Sequence, residues 1–133
     1  MSEPIEVVRR FVNEYQTQTD KSAIAALLAL DFVDHTPFPG FPPTREGVRQ
    51  LFEMLWGAFP DLRAEILHQY AQEDRVATHK VFRGTHQGPF FGIPATGRVV
   101  TLAVIDIVRV AHGQIVEHWN VVDQADLMRQ VTE

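Results

Sequence analysis

The chain has 133 residues, 45% hydrophobic and 22% charged, a balance that excludes a disordered chain and allows a core of ordinary size. No apolar run approaches the roughly 20 residues needed to cross a bilayer. The 12 Lys and Arg against 17 Asp and Glu give a formal net charge of −5, with no basic cluster of the kind a nucleic-acid surface needs.

There is no cysteine, which excludes disulfides and thiolate metal sites. The start, Met1-Ser2-Glu3-Pro4, lacks the charged and apolar regions of a signal peptide, so a cytoplasmic location is expected. No linker or repeat divides the sequence, and residues 1–133 read as one domain.

The first predicted helix places Ile5, Val8, Phe11, Val12 and Tyr15 on one stripe after Ser2 as a candidate cap. A second is expected from Asp20, a good N-cap, through Ala23, Ile24, Leu27 and Leu28. A short strand follows over Asp31 to Pro37, and the Pro- and Gly-rich stretch from Phe38 to Pro43 must be loop. Thr44 caps a third helix, whose stripe is Val48, Leu51, Phe52, Leu55 and Phe59 and which ends before Pro60.

Beyond Asp61 the pattern changes to segments rich in Val, Ile, Thr and His at about 62–71, 75–86, 98–110 and 114–122. Short links at Asp74 and at His112-Gly113 predict an antiparallel meander of four strands, and residues 125–131 a last helical turn or two. The long connection from Gly84 to Gly97, with four glycines and two prolines, reads as a shaped loop of the kind that borders a site.

Four segments carry a likeness: FVDH (32–35), GTHQGPFFGIPATG (84–97), VIDIVR (104–109) and GQIVEHWNVVDQADLMRQ (113–130). With the order of elements, they make the chain resemble the SnoaL-like polyketide cyclase family of the NTF2-like superfamily. The resemblance implies an α+β cone in which N-terminal helices cover a curved antiparallel sheet around one pocket for a small, mostly apolar molecule; its relatives include ketosteroid isomerase, scytalone dehydratase and limonene epoxide hydrolase. It also implies general acid/base chemistry without a cofactor. In characterised cyclases of this family an aspartate on the last strand closes a ring on a polyketide ester by an aldol condensation. That position matches Asn120 here, and the position of a pocket histidine matches Asp106.

Strand alternation puts Val104, Asp106 and Val108 on one face, and Val116, His118 and Asn120 on the matching face of the next strand. The resemblance makes this the pocket face. Asp106, His118 and Asn120 are therefore the candidate catalytic residues. In its apolar run, Asp106 is expected to be an unpaired carboxyl with a raised pKa. An alternative is a satisfied buried acid with no chemical task.

Asp34 and His35 point to opposite faces, and the family match sends Asp34 into the pocket. Further substrate-binding candidates are Tyr15, Trp56, His86, Phe90 and Phe91, with loop anchoring as the favoured role of His86 and core packing as the stronger prior for Trp56. The histidines at 35, 68, 79, 86, 112 and 118 show no metal-ligand spacing, so no metal is expected, and the leading expectation needs no cofactor.

The leading expectation is a polyketide or ester cyclase acting on a small carbonyl-containing or polycyclic substrate. The alternatives are a non-catalytic ligand-binding module, or an isomerase, hydratase or epoxide hydrolase of the same fold. The outer sheet face, with Ile105, Ile107, Ile115, Trp119 and Val121, predicts a homodimer. No nucleic-acid or membrane partner is expected.

Overall fold

A computed structural model describes residues 3–133, so the cap expected at Ser2 lies outside the described residues. Helix α1 (Pro4–Arg10) starts with Pro4 in its first turn and continues as a π-helical segment over Phe11–Gln16. Helix α2 (Ala23–Leu27) is shorter than expected. Asp20 Oδ1 accepts from the Ser22 backbone N–H at 3.0 Å, turning the chain into the helix, but Leu28 already belongs to strand β1 (Leu28–Asp34). Pairing with a neighbouring strand at Leu28 overrides the helical spacing of that residue.

Helix α3 (Arg45–Ala58) is capped as its sequence predicts, with the Thr44 hydroxyl accepting from Gly47 N–H at 3.2 Å. Four long strands follow: β2 (Arg63–Gln72), β3 (Arg75–Thr85), β4 (Val99–Ala111) and β5 (Gln114–Val122). Helix α4 (Gln124–Thr132) closes the chain. The link between β4 and β5 is tight because His112 and Gly113 both adopt positive φ, 53° and 75°, as a two-residue hairpin turn requires. Among the described residues no helix is long and apolar enough to cross a membrane.

The sheet order is β1-β5-β4-β3-β2. The four long strands form the expected antiparallel meander, while β1 adds to the edge of β5 in parallel. Helices α1, α3 and α4 and the π-helical segment contribute to the core on the concave side, with Val12, Tyr15, Phe52, Trp56, Leu127 and Val131 all buried. The fold is thus α+β, a curved mixed sheet closed by helices.

One irregularity decides which side chains face inward on β5. Val110 pairs with Ile115, but Arg109 pairs with Glu117, so Val116 is an extra residue in the ladder. This bulge reverses the alternation. Ile115, expected on the outer face, is 2% exposed and lines the cavity. Val116, expected to face inward with His118, instead joins Arg109 and Glu117 around a shallow groove on the other side.

Candidate active site

Between sheet and helices lies a cavity of about 400 Å³. Its walls are mainly apolar: Phe11 and Val12 from the π-helical segment, Phe52 and Leu55 from α3, Val100 and Val104 from β4. Polar side chains gather where β1, β3, β4 and β5 run side by side, namely Asp34, Lys80, Asp106, His118 and Asn120, with Gln16 reaching in from the π-helical segment.

Strand register brings these groups together. Asp106 is the cross-strand partner of Asn120, Val108 of His118, and Asp34 of His118 across the parallel ladder. His118 Nδ1 lies 3.0 Å from Asp34 Oδ1. A carboxylate can only accept, so Nδ1 carries the proton. Asp34 Oδ1 also accepts from the Thr36 backbone N–H at 3.0 Å, and the Thr36 hydroxyl oxygen accepts from the Asn120 backbone N–H at 2.8 Å. The residues after β1 thereby lock onto β5.

The other imidazole nitrogen, His118 Nε2, is 3.8 Å from Asp106 Oδ2. Burial disfavours the imidazolium, but the two flanking carboxylates outweigh it and raise the His118 pKa above its ordinary value.

Asp106 is not the unpaired acid expected from its apolar run. Lys80 Nζ, itself buried, donates to Asp106 Oδ2 across 2.9 Å. Desolvation alone would raise this carboxyl, but Lys80 and His118 together overcome it and lower the pKa to about 2. Asp106 is therefore a carboxylate at neutral pH and a poor proton donor. Its second oxygen, Oδ1, is buried without a hydrogen-bond partner among the described residues. Lys80 Nζ also donates to Gln16 Oε1 at 3.0 Å, and the Gln16 backbone carbonyl accepts from Trp56 Nε1 at 3.2 Å.

The remaining predicted residues divide. Phe90 lines the cavity and is buried against Phe59, with ring centroids 5.5 Å apart. Phe91 does not line it; half exposed, it stacks on Phe38 at 5.4 Å. Phe38, Pro37 and Pro39 do line the cavity, so the contact between the two aromatic loops lies at its rim.

Tyr15 and Trp56 do not reach the cavity. Both are core residues, their rings 5.2 Å apart, and burial raises the Tyr15 phenol. His86 does not reach it either. Its Nδ1 accepts from the Thr96 backbone N–H at 3.3 Å, and its backbone bonds to Arg98 and Gly97 close the base of the loop, which is the anchoring role.

That loop is further fixed because Gln87 and Gly88 both donate to the Ala58 carbonyl at the end of α3. A Cβ on Gly88 would lie 2.2 Å from the Gly57 oxygen, so no other residue fits. His35 points away from Asp34, its ring stacked on Trp119 at 4.7 Å.

Reading the sequence for acids and histidines misses Lys80, Gln16, Thr36 and Phe38. The signal for Lys80 was present, since Val76, Thr78, Lys80 and Phe82 alternate on one face of β3, with apolar Val76 and Phe82 flanking the polar pair.

Known proteins of the same shape bracket the chain along its whole length. It is 27% identical over 137 residues to aklanonic acid methyl ester cyclase DnrD of Streptomyces peucetius, covering 100% of this chain and 93% of that protein. The crystal structure of wild-type IdmH, a candidate polyketide cyclase from Streptomyces antibioticus, superposes with a TM-score of 0.86 at 31% identity, covering 99% of this chain and 100% of that one. AclR, a candidate hydroxylase from Streptomyces galilaeus, gives a TM-score of 0.86 at 30% identity, covering 98% of this chain and 82% of that one. The family model for SnoaL-like polyketide cyclases matches residues 6–131, and the chain belongs to that family.

Proposed function

We propose that the protein is a cofactor-independent cyclase that closes a ring on a small, mostly apolar ester or ketone held in this cavity, by proton transfer through His118. The observation that carries this reading is the position of His118 between Asp34 and Asp106 at the polar end of an apolar cavity.

With Asp34 holding Nδ1–H, the neutral ring offers a lone pair at Nε2. Its raised proton affinity makes the protonated ring a donor that still operates near neutrality. In an intramolecular aldol closure, Nε2 takes a proton from the carbon beside one carbonyl. The electron pair left on carbon forms the new bond to a second carbonyl carbon, and the alkoxide produced takes the proton back. Nothing else is consumed, so the product is an isomer of the substrate.

Asp106, held as a carboxylate, supplies the negative charge that stabilises the imidazolium. Asn120 does not titrate, and its amide is suited to orienting a substrate oxygen.

The test is incubation with aklanonic acid methyl ester, the compound in the name of the DnrD relative, and with smaller keto esters, followed by chromatography with mass detection. An isomer formed by the wild type and lost in His118→Gln supports the proposal. Saturable binding with no isomer from any of these compounds points instead to a ligand-binding module, the reading favoured by Asn120 at the position of the family's aspartate.

A further inference from the structure

Lys80 is the group at this site that a proton-transfer account leaves without a task. The residue is 3% exposed and sits at the wall of an apolar cavity. An ammonium has three N–H donors. Two are taken, by Asp106 Oδ2 at 2.9 Å and Gln16 Oε1 at 3.0 Å. Also beside it, among the described residues, are the Phe82 ring, whose centroid is 5.4 Å from Nζ, near the limit of a useful cation–π contact, and the cavity it lines.

Placing a lysine here is expensive in free energy unless its donors are met. Asp106 and Gln16 hold Nζ from two different elements, β4 and the π-helical segment, so its position is fixed before any ligand arrives. Preorganised donors of this kind are what stabilises an oxygen on which negative charge develops.

We propose that Lys80 is the carbonyl-binding residue of the cavity. Its third N–H donates to a ketone or ester oxygen of the substrate, and holds that oxygen as it becomes an enolate. The inference rests on the cavity being the substrate site, and it narrows the ligand class to apolar molecules with a carbonyl oxygen that can reach Nζ.

The probe is 2-acetylnaphthalene carrying a carbon-13 carbonyl, compared with 2-ethylnaphthalene, which has the same shape without the acceptor. Bound to the wild type, the labelled carbonyl should absorb at lower infrared frequency than in a hydrocarbon solvent. The ketone should also bind about tenfold more tightly than the hydrocarbon, the gain from one hydrogen bond to a charged donor.

The double variant Lys80→Met/Asp106→Leu removes the pair without stranding a lone charge. In it the band should return to the hydrocarbon position and the tenfold preference should vanish. A carbonyl band in the wild type at the hydrocarbon position overturns the proposal by itself, whether or not the double variant folds. So does an unchanged shift in the double variant. His118→Gln separates this inference from the proton-transfer reading, because it should abolish turnover and leave the infrared shift intact.

Discussion

Lys80 and Asp106 form an ion pair 2.9 Å long with both side chains 4% exposed, and they come from adjacent strands whose registers place Thr78, not Lys80, directly opposite Asp106. Removing one partner leaves an uncompensated charge in the core. Lys80→Met alone or Asp106→Leu alone should therefore lower unfolding stability by about 3–5 kcal/mol, whereas the double variant should lie within about 1 kcal/mol of wild type or above it. Urea denaturation of the four proteins checks this. Additive losses in the double variant would mean that the pair is not the source of the effect.

The same cluster sets a dependence on pH. Asp106 has its pKa lowered to about 2 in the fold against about 3.9 in an unfolded chain. Its contribution is therefore complete above about pH 4 and is lost as pH falls towards 2. His118 is raised in the fold, so its contribution is complete below the unfolded value of about 6.5 and is lost as pH rises through its folded pKa. Denaturant titrations at a series of pH values should show the wild type weakening on both sides. His118→Gln should abolish the alkaline loss and retain the acid one. An alkaline slope unchanged in that variant would assign it to another group.

Much of this arrangement is legible in the sequence because it depends on alternation. Val104, Asp106 and Val108 alternate without interruption, and the Gly113 turn makes β4 and β5 neighbours with Asp106 within one or two rungs of His118 and Asn120, although it is the bulge that sets Asp106 directly opposite Asn120. The faces of Ile115 and Val116 were not legible. An Ile-Val pair beside a turn satisfies either phase, and the one-residue bulge that chooses between them depends on how β5 pairs with β4 on one side and with β1 on the other. The state of Asp106 was hidden for a different reason. Its partner Lys80 lies 26 residues earlier in the chain, and although a meander puts β3 beside β4, the long loop between them leaves open the register that joins the two residues. Tyr15 and Trp56 carry the composition of pocket aromatics, but helix packing turns them into the core.

The paired phenylalanines of the long loop have separate roles. Phe90 is 1% exposed and packs on Phe59 and His86, so Phe90→Ala should remove about 3–5 kcal/mol of stability. Phe91 is 50% exposed and stacks on Phe38 at the rim. Phe91→Ala should change stability by less than about 1 kcal/mol while speeding the release of 2-acetylnaphthalene, measured by stopped-flow displacement. A Phe91→Ala protein with unchanged release would remove this ring from the entrance.

The last expectation concerns the outer sheet face. Ile105, Ile107 and Val121 are 55%, 42% and 77% exposed, and register puts Ile105 opposite Val121 and Ile107 opposite Trp119, which makes one continuous apolar surface. The Trp119 ring is contacted by the flat stacking of His35 and by the Arg75 guanidinium 5.3 Å from its centroid. Ile115, which simple alternation assigns to this patch, is turned inward by the bulge, but the four remaining side chains still form a cluster that water solvates poorly. A second copy packed through this face would bury them, and we expect a homodimer. Ile107→Lys should dissociate it, since one charge at the centre of a two-fold patch meets its own copy. Sedimentation at micromolar concentration should give a wild-type dimer and a monomeric variant. A wild-type monomer whose Trp119 fluorescence is quenched freely by acrylamide, once Trp56 is replaced by Phe to isolate that signal, would refute the dimer.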